Sequence, residues 1–449
     1  MPSIANLHLA LSLLLSILPL LSSSSPFQQD PIRIDPYIID YRNGTIVRDN
    51  TLHLSSVPPT NGNDFQCKDV TINIPSYRRH LRARVFLPAQ PNSNRRIPVL
   101  VYFHGGGFCI GSPFYKNDTA YMAKVAAKAH VIALSLDYTR YPEGTVWDSY
   151  EDAWAFLKWV VAHKFDSHLP GSDPWLARFG DLDRVFVGGD SAGGNIAHHM
   201  AIKAGQAQLP EYVRLVGAFL AMPYFLGSSR VGLEPETITT SNNFKIWDYV
   251  CPNCTAGVDD PLINPGGPGA PSLRGLGCGR MMVYVAQNDE LRERDVWYYQ
   301  QVKKSGWPGQ VELVEAKGQP HVFHIRDPDS LAATNLIDDV STIRSATEGR
   351  RMCNTCCRRR SVFAAFFLLH PSKPPIPIHV GTYNTMTTNV STPMRLRLIE
   401  VLAAWEAPVD SAFVELQLGV VLFPTGMRKG GGRYGLHQLV TEISQAWEL

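Results

Sequence analysis

The stretch Gly189-Asp190-Ser191-Ala192-Gly193-Gly194 constrains the chain most. The residues before it, Arg184-Val185-Phe186-Val187-Gly188, read as a short buried strand, and residues 195–204 read as a helix. A serine between glycines at a strand-to-helix junction predicts a sharp, strained turn that lifts the hydroxyl clear of a sheet. Such a turn needs a strand layer below it and helices around it, so it makes a demand on the whole fold.

The rest of the sequence meets that demand. Residues 97–103, 131–136 and 281–286 are continuously apolar, as is 184–187. Runs of this kind are expected of strands buried on both faces. Amphipathic helical stretches lie between them, at 119–129, 150–163, 195–204 and 295–305. Strand–helix alternation predicts an α/β fold with a mostly parallel central sheet and helices on both faces. Residues 70–74 and 81–87 alternate instead, which predicts an antiparallel pair at the sheet edge. Residues 223–275 are rich in Pro and Gly and interrupt the alternation. They are expected to form, with the segment 26–62, a cap over the carboxyl edge of the sheet that shapes a substrate pocket.

A serine hydroxyl is a weak nucleophile and needs a base, an orienting acid and donors for the developing oxyanion. His104-Gly105-Gly106-Gly107-Phe108 directly follows the strand at 97–103. Three glycines there expose backbone N–H groups to an anion. Gly105, Gly106 and Ala192 are the expected oxyanion donors, and His104 is expected to brace the loop. Asp289 follows the strand at 281–286, and His321 follows the strand-like stretch Val311-Glu312-Leu313-Val314. The order Ser191, Asp289, His321 places all three at carboxyl ends of parallel strands, which face one crevice. Glu290 and Asp295 compete for the role of the acid, and His324 for that of the base. Asp190 is expected to brace the elbow. No metal or cofactor is called for.

Composition limits the remaining classes. A formal net charge of +2 gives no electrostatic reason to expect nucleic acid or an anionic membrane as a partner. Eight cysteines among 449 residues are too few for a disulfide scaffold, and Cys251-Pro252-Asn253-Cys254 is read as two unlinked cysteines in the cap. Residues 1–25 carry an apolar run, 7–21, followed by four serines, and resemble a secretory signal peptide. If they are one, the chain enters the secretory route; otherwise it stays cytoplasmic. The run is too short for an integral membrane span. Residues 346–449 combine a basic, cysteine-dense stretch, a proline-rich stretch and a glycine- and arginine-rich stretch. They are expected to form a poorly ordered tail, with helix only at 394–405 and 436–447. The domain between, 26–345, carries the chemistry.

The motifs also match a known family. Val101-Tyr102-Phe103-His104-Gly105-Gly106-Gly107-Phe108, Gly189-Asp190-Ser191-Ala192-Gly193-Gly194-Asn195, Asp259-Asp260-Pro261-Leu262-Ile263-Asn264-Pro265 and His321-Val322-Phe323-His324 resemble plant carboxylesterases of the hormone-sensitive-lipase branch of the α/β-hydrolases. The resemblance runs from about residue 35 to about residue 340. It implies an α/β-hydrolase fold and hydrolysis of a small-molecule ester by Ser191, Asp289 and His321, with Gly105, Gly106 and Ala192 as oxyanion donors. Gibberellin receptors and hydroxyisoflavanone dehydratases resemble the same branch. The receptors lack the catalytic histidine, whereas His321 is present here.

Overall fold

The computed structural model describes residues 30–342, with breaks at 35–36, 49–54, 75–76, 78, 92–94, 165–171, 208 and 211–212. It also describes four dipeptides in a separate C-terminal unit spanning Phe367–Leu449. The leader 1–25 lies outside the described residues, as does nearly all of the expected tail. Within the C-terminal unit, Leu396–Arg397 pairs antiparallel with Phe423–Pro424, and Glu400–Val401 with Gly419–Val420. The helix expected over 394–405 is therefore corrected at those residues, where cross-strand pairing overrides local propensity.

Eight strands form the central sheet, and three short ones precede it. The short strands β1 (Ile32–Ile34), β2 (Ile38–Asp40) and β3 (Ile46–Arg48) make a small antiparallel sheet of their own. The antiparallel pair expected at the edge is β4 (Phe65–Asn73) with β5 (His80–Pro88). Then come β6 (Ile97–Phe103), β7 (Ile132–Asp137), β8 (Gly180–Asp190), β9 (Leu215–Ala221), β10 (Cys278–Ala286) and β11 (Gln310–Ala316). Their order across the sheet is β11-β10-β9-β8-β6-β7-β5-β4, and β6 through β11 run parallel. β9 was absent from the sequence reading, as was the helical character of 242–250 in the insertion.

Every residue of β6 is buried, because both faces of the sheet are covered. Val99, Val101 and Phe103 enter one apolar cluster while Leu100 and Tyr102 enter another, as the two-residue period of a strand dictates. The helices are α1 (Lys116–Ala129), α2 (Val146–Ala162), α3 (Pro174–Phe179), α4 (Ala192–Gln206), α5 (Asn242–Val250), α6 (Arg292–Lys304), α7 (Phe323–Arg326) and α8, helical from 331 to 342, of which α5 belongs to the insertion. α2 starts where Thr145 and Asp148 form a reciprocal capping box. No helix among the described residues is long and apolar enough to cross a membrane.

The N-terminal strands and the insertion meet at the carboxyl edge of the sheet. Tyr249 on α5 donates to Asp40 on β2 at 3.2 Å, and its ring stacks edge-on against Tyr141. Just past α5, Cys251 and Cys254 are joined by a disulfide, which corrects the reading of two unlinked cysteines. The turn that brings them together also carries a Cys254 N–H bond to the Cys251 carbonyl.

Candidate active site

The chain reverses at Ser191 with φ 51° and ψ −119°, between the end of β8 and the start of α4. A non-glycine residue at positive φ is strained, and here the surroundings hold it. Ser191 N–H donates to the Ala221 carbonyl at 2.9 Å, and the Ser191 carbonyl accepts from Tyr224 N–H at 2.9 Å. The glycine at 193 is obligatory for a separate reason. A Cβ there would lie 1.9 Å from the Phe103 carbonyl oxygen and 2.6 Å from that of His104. The elbow therefore packs directly onto the loop that follows β6.

Two strand-end loops deliver the partners of Ser191. Asp289 follows β10 and His321 follows β11, and their loops are laced together. Asn288 N–H donates to the Gln319 carbonyl at 2.9 Å, and Gly318 N–H to Gln287 Oε1 at 2.8 Å. His321 Nε2 lies 3.0 Å from Ser191 Oγ, and His321 Nδ1 lies 2.7 Å from Asp289 Oδ2. The other carboxylate oxygen of Asp289 accepts from Leu291 N–H at 3.0 Å, which fixes the plane of the group. Val322 adopts φ 46° beside the base, a costly conformation for a β-branched residue.

Charge around the imidazole is asymmetric. Burial disfavours protonation of His321, but the Asp289 carboxylate, its hydrogen bond and the more distant Asp190 outweigh burial. The result is a pKa above the ordinary histidine value. The competing residues are excluded by position. His324 is fully buried against Tyr121 and Phe323, burial pushes its pKa down to about 3, and neither ring nitrogen bonds Ser191. Glu290 accepts from Asn243 at 2.6 Å, and Asp295 is fully buried; neither bonds His321.

The glycine loop sits against the elbow. His104 is buried, with Nδ1 2.7 Å from the Gly105 carbonyl and its ring stacked on Tyr138 at 4.3 Å. Burial pushes its pKa down to about 3, so it braces the loop as a neutral ring. Tyr138 O–H closes the brace on the His104 carbonyl at 2.9 Å. Asp190 is held by the Tyr102 hydroxyl at 2.7 Å and by the backbone of Gly105. Burial raises the Asp190 carboxyl, the Tyr102 and Gly105 bonds and the His321 charge offset part of the rise, and the net result is about 6. The Gly105 N–H is therefore engaged by Asp190. The Gly106 carbonyl accepts from Cys109 and Ile110, but the N–H groups of Gly106, Gly107 and Ala192 have no hydrogen-bond partner among the described residues. Gly106 is at φ 111°, and a Cβ on it would lie 2.2 Å from the Ile110 carbonyl oxygen. Ala192 N–H is the first of α4 and lies at the positive end of that helix.

These groups open onto one cavity of about 300 Å³. Ser191 and His321 line it together with Gly105, Gly106 and Gly107. Tyr37 from the N-terminal segment and Asn243 and Ile246 from α5 form further walls. Sequence reasoning missed Gly107, Tyr37 and Asn243. Gly107 was visible in the motif, but which N–H groups stay open depends on the partner Asp190 takes.

Comparison with known proteins agrees with this architecture. A family model described as alpha/beta hydrolase fold matches residues 100–325. The chain is 40% identical over 314 residues to a 2-hydroxyisoflavanone dehydratase of Glycyrrhiza echinata, covering 69% of this chain and 94% of that protein. It is 42% identical over 320 residues to tuliposide A-converting enzyme 1, chloroplastic, of Tulipa gesneriana, covering 69% and 77%. Among solved structures, an esterase of Pseudomonas putida matches with a TM-score of 0.52 at 23% identity, over 62% of this chain and 82% of that one. An esterase of Pyrobaculum calidifontis matches with a TM-score of 0.51 at 24% identity, over 63% and 86%. The chain belongs to the α/β-hydrolases, as a plant member of the hormone-sensitive-lipase-like branch.

Proposed function

We propose that the protein hydrolyses small to medium carboxylic esters through an acyl-enzyme on Ser191. The observation that carries this reading is the continuous relay from Ser191 Oγ to His321 Nε2 and from His321 Nδ1 to Asp289. Ser191 Oγ attacks the ester carbonyl while His321 takes its proton, and Asp289 stabilises the imidazolium. The tetrahedral oxyanion is received by the open N–H groups of Gly106, Gly107 and Ala192, with Gly105 holding Asp190 in place. Collapse of the intermediate expels the alcohol, protonated by His321. Water, deprotonated by the same ring, then releases the acid and frees Ser191. The reaction needs no cofactor. Tyr37, Asn243 and Ile246 act as a cap that bounds the chain length of the substrate.

The pH profile tests this assignment. His321 must be neutral to act as a base, and its pKa is raised, so kcat/KM should fall as pH drops through a midpoint above about 6.5. This sits higher than an unperturbed histidine would set it. A p-nitrophenyl ester assayed between pH 4 and pH 9 reads the limb directly, and a profile flat down to pH 4 excludes His321 as the base.

The likeness to a 2-hydroxyisoflavanone dehydratase favours a second reading, elimination of water by the same base. There His321 would remove a proton from the carbon beside a carbonyl, the open N–H groups would hold the enolate oxygen, and hydroxide would leave as water. Assaying an aryl ester beside a 2-hydroxyisoflavanone separates the two reactions.

A further inference from the structure

Arg326 ends α7, five residues after His321, and lines the same cavity as Ser191 and His321. Its Nε–H donates to the backbone carbonyl of His321 at 3.1 Å, which anchors the guanidinium beside the base. The Arg326 carbonyl accepts from the Asn117 amide at 3.2 Å, so the residue is held at both ends. Its remaining four N–H donors meet no carboxylate among the described residues. The nearby acids are engaged elsewhere: Asp329 pairs with Lys124, and Asp327 accepts from Asp329 N–H. Yet Arg326 is close enough for its charge to oppose protonation of His321. Arg326 is an exposed residue on the wall of the reaction cavity, and an arginine fork there matches the two oxygens of a carboxylate.

We propose that Arg326 is a specificity-determining anion subsite, and that the preferred substrates are esters carrying a free carboxylate, such as half-esters of dicarboxylic acids. This rests on the ester-hydrolase reading of Ser191. Two acids share the cavity, Asp118 and Asp190, and neither pairs with Arg326. Burial raises the Asp118 carboxyl well above the usual carboxylate range, and Asp190 accepts from the Tyr102 hydroxyl at 2.7 Å. Glu290 accepts from Asn243 at 2.6 Å, and Asp289 is paired with His321.

Two substrate pairs locate the anion. On the acyl side, 4-nitrophenyl hemiadipate is compared with 4-nitrophenyl hexanoate; on the alcohol side, 4-acetoxybenzoate with its methyl ester. In at least one pair the ratio of kcat/KM, anionic over neutral, should fall about tenfold or more in Arg326→Gln, mainly through KM. Arg326→Lys should recover part of it, and added salt should erode the wild-type preference. A ratio unchanged by Arg326→Gln in both pairs overturns the subsite. Binding of adipate, followed by calorimetry, reads the subsite without turnover: about tenfold weaker binding to Arg326→Gln supports it, and equal or absent binding to the wild type contradicts it. Failure of every ester, with adipate still bound through Arg326, would instead reject the hydrolase reading and leave the subsite standing.

Discussion

Ser191→Ala should lower kcat for a p-nitrophenyl ester by about 10⁴- to 10⁶-fold while leaving a folded protein. The loss follows from the 3.0 Å contact with His321 Nε2, which alanine cannot make. The fold should survive because the elbow is held by backbone groups. Ser191 N–H donates to Ala221 and its carbonyl accepts from Tyr224, and alanine keeps both bonds. The thermal midpoint should therefore stay level or rise slightly, since a strained catalytic residue is not optimised for stability. Activity measured together with thermal unfolding checks both parts. Retained turnover in a folded Ser191→Ala protein removes the nucleophile from the account.

Asp289→Asn should cost about 10⁴-fold in kcat with little change in KM, for a reason visible in the hydrogen bonds. Leu291 N–H already binds one oxygen of Asp289 at 3.0 Å, while the other faces His321 Nδ1 at 2.7 Å. An asparagine keeps its carbonyl oxygen on Leu291 N–H, which turns its NH₂ toward Nδ1. Nδ1 must then accept, so the ring proton moves to Nε2 and faces Ser191 Oγ. The base is present but in the wrong tautomer. Steady-state kinetics of the variant across pH checks this; a loss of tenfold or less would mean that Asp289 does not orient the ring.

How far the sequence reveals this site depends on which physical signal each part leaves. β6 was legible to its last residue because a strand covered on both faces must be apolar throughout. β9, Leu-Val-Gly-Ala-Phe-Leu-Ala, is buried at all but Val216, but its glycine and alanines dilute the β-branched signature that marks a strand. The strands β1 to β3 are three residues each, too short to show a period. α5 packs Phe244, Trp247 and Val250 inward, a helical spacing that nine residues amid prolines and glycines hardly display. Ser191, Asp289 and His321 were readable because chain order and strand ends bring them to one crevice, while Glu290, Asp295 and His324 stayed open as competitors until the geometry placed them. The glycine loop was readable, but not which of its N–H groups stay open. The choice among Gly105, Gly106 and Gly107 turns on Asp190 engaging the first, a contact no spacing encodes. Arg326 left no pattern at all; the role proposed for it rests on its place in the cavity wall and on the lack of a carboxylate partner among the described residues.

The central claim is that an acyl group passes through Ser191 Oγ. Acid quenching during turnover of p-nitrophenyl butyrate, followed by peptide mass analysis, tests it most directly. The account predicts a butyryl adduct on the peptide containing Ser191, absent from Ser191→Ala. Steady ester hydrolysis by a wild-type protein whose adduct maps to another residue would contradict it.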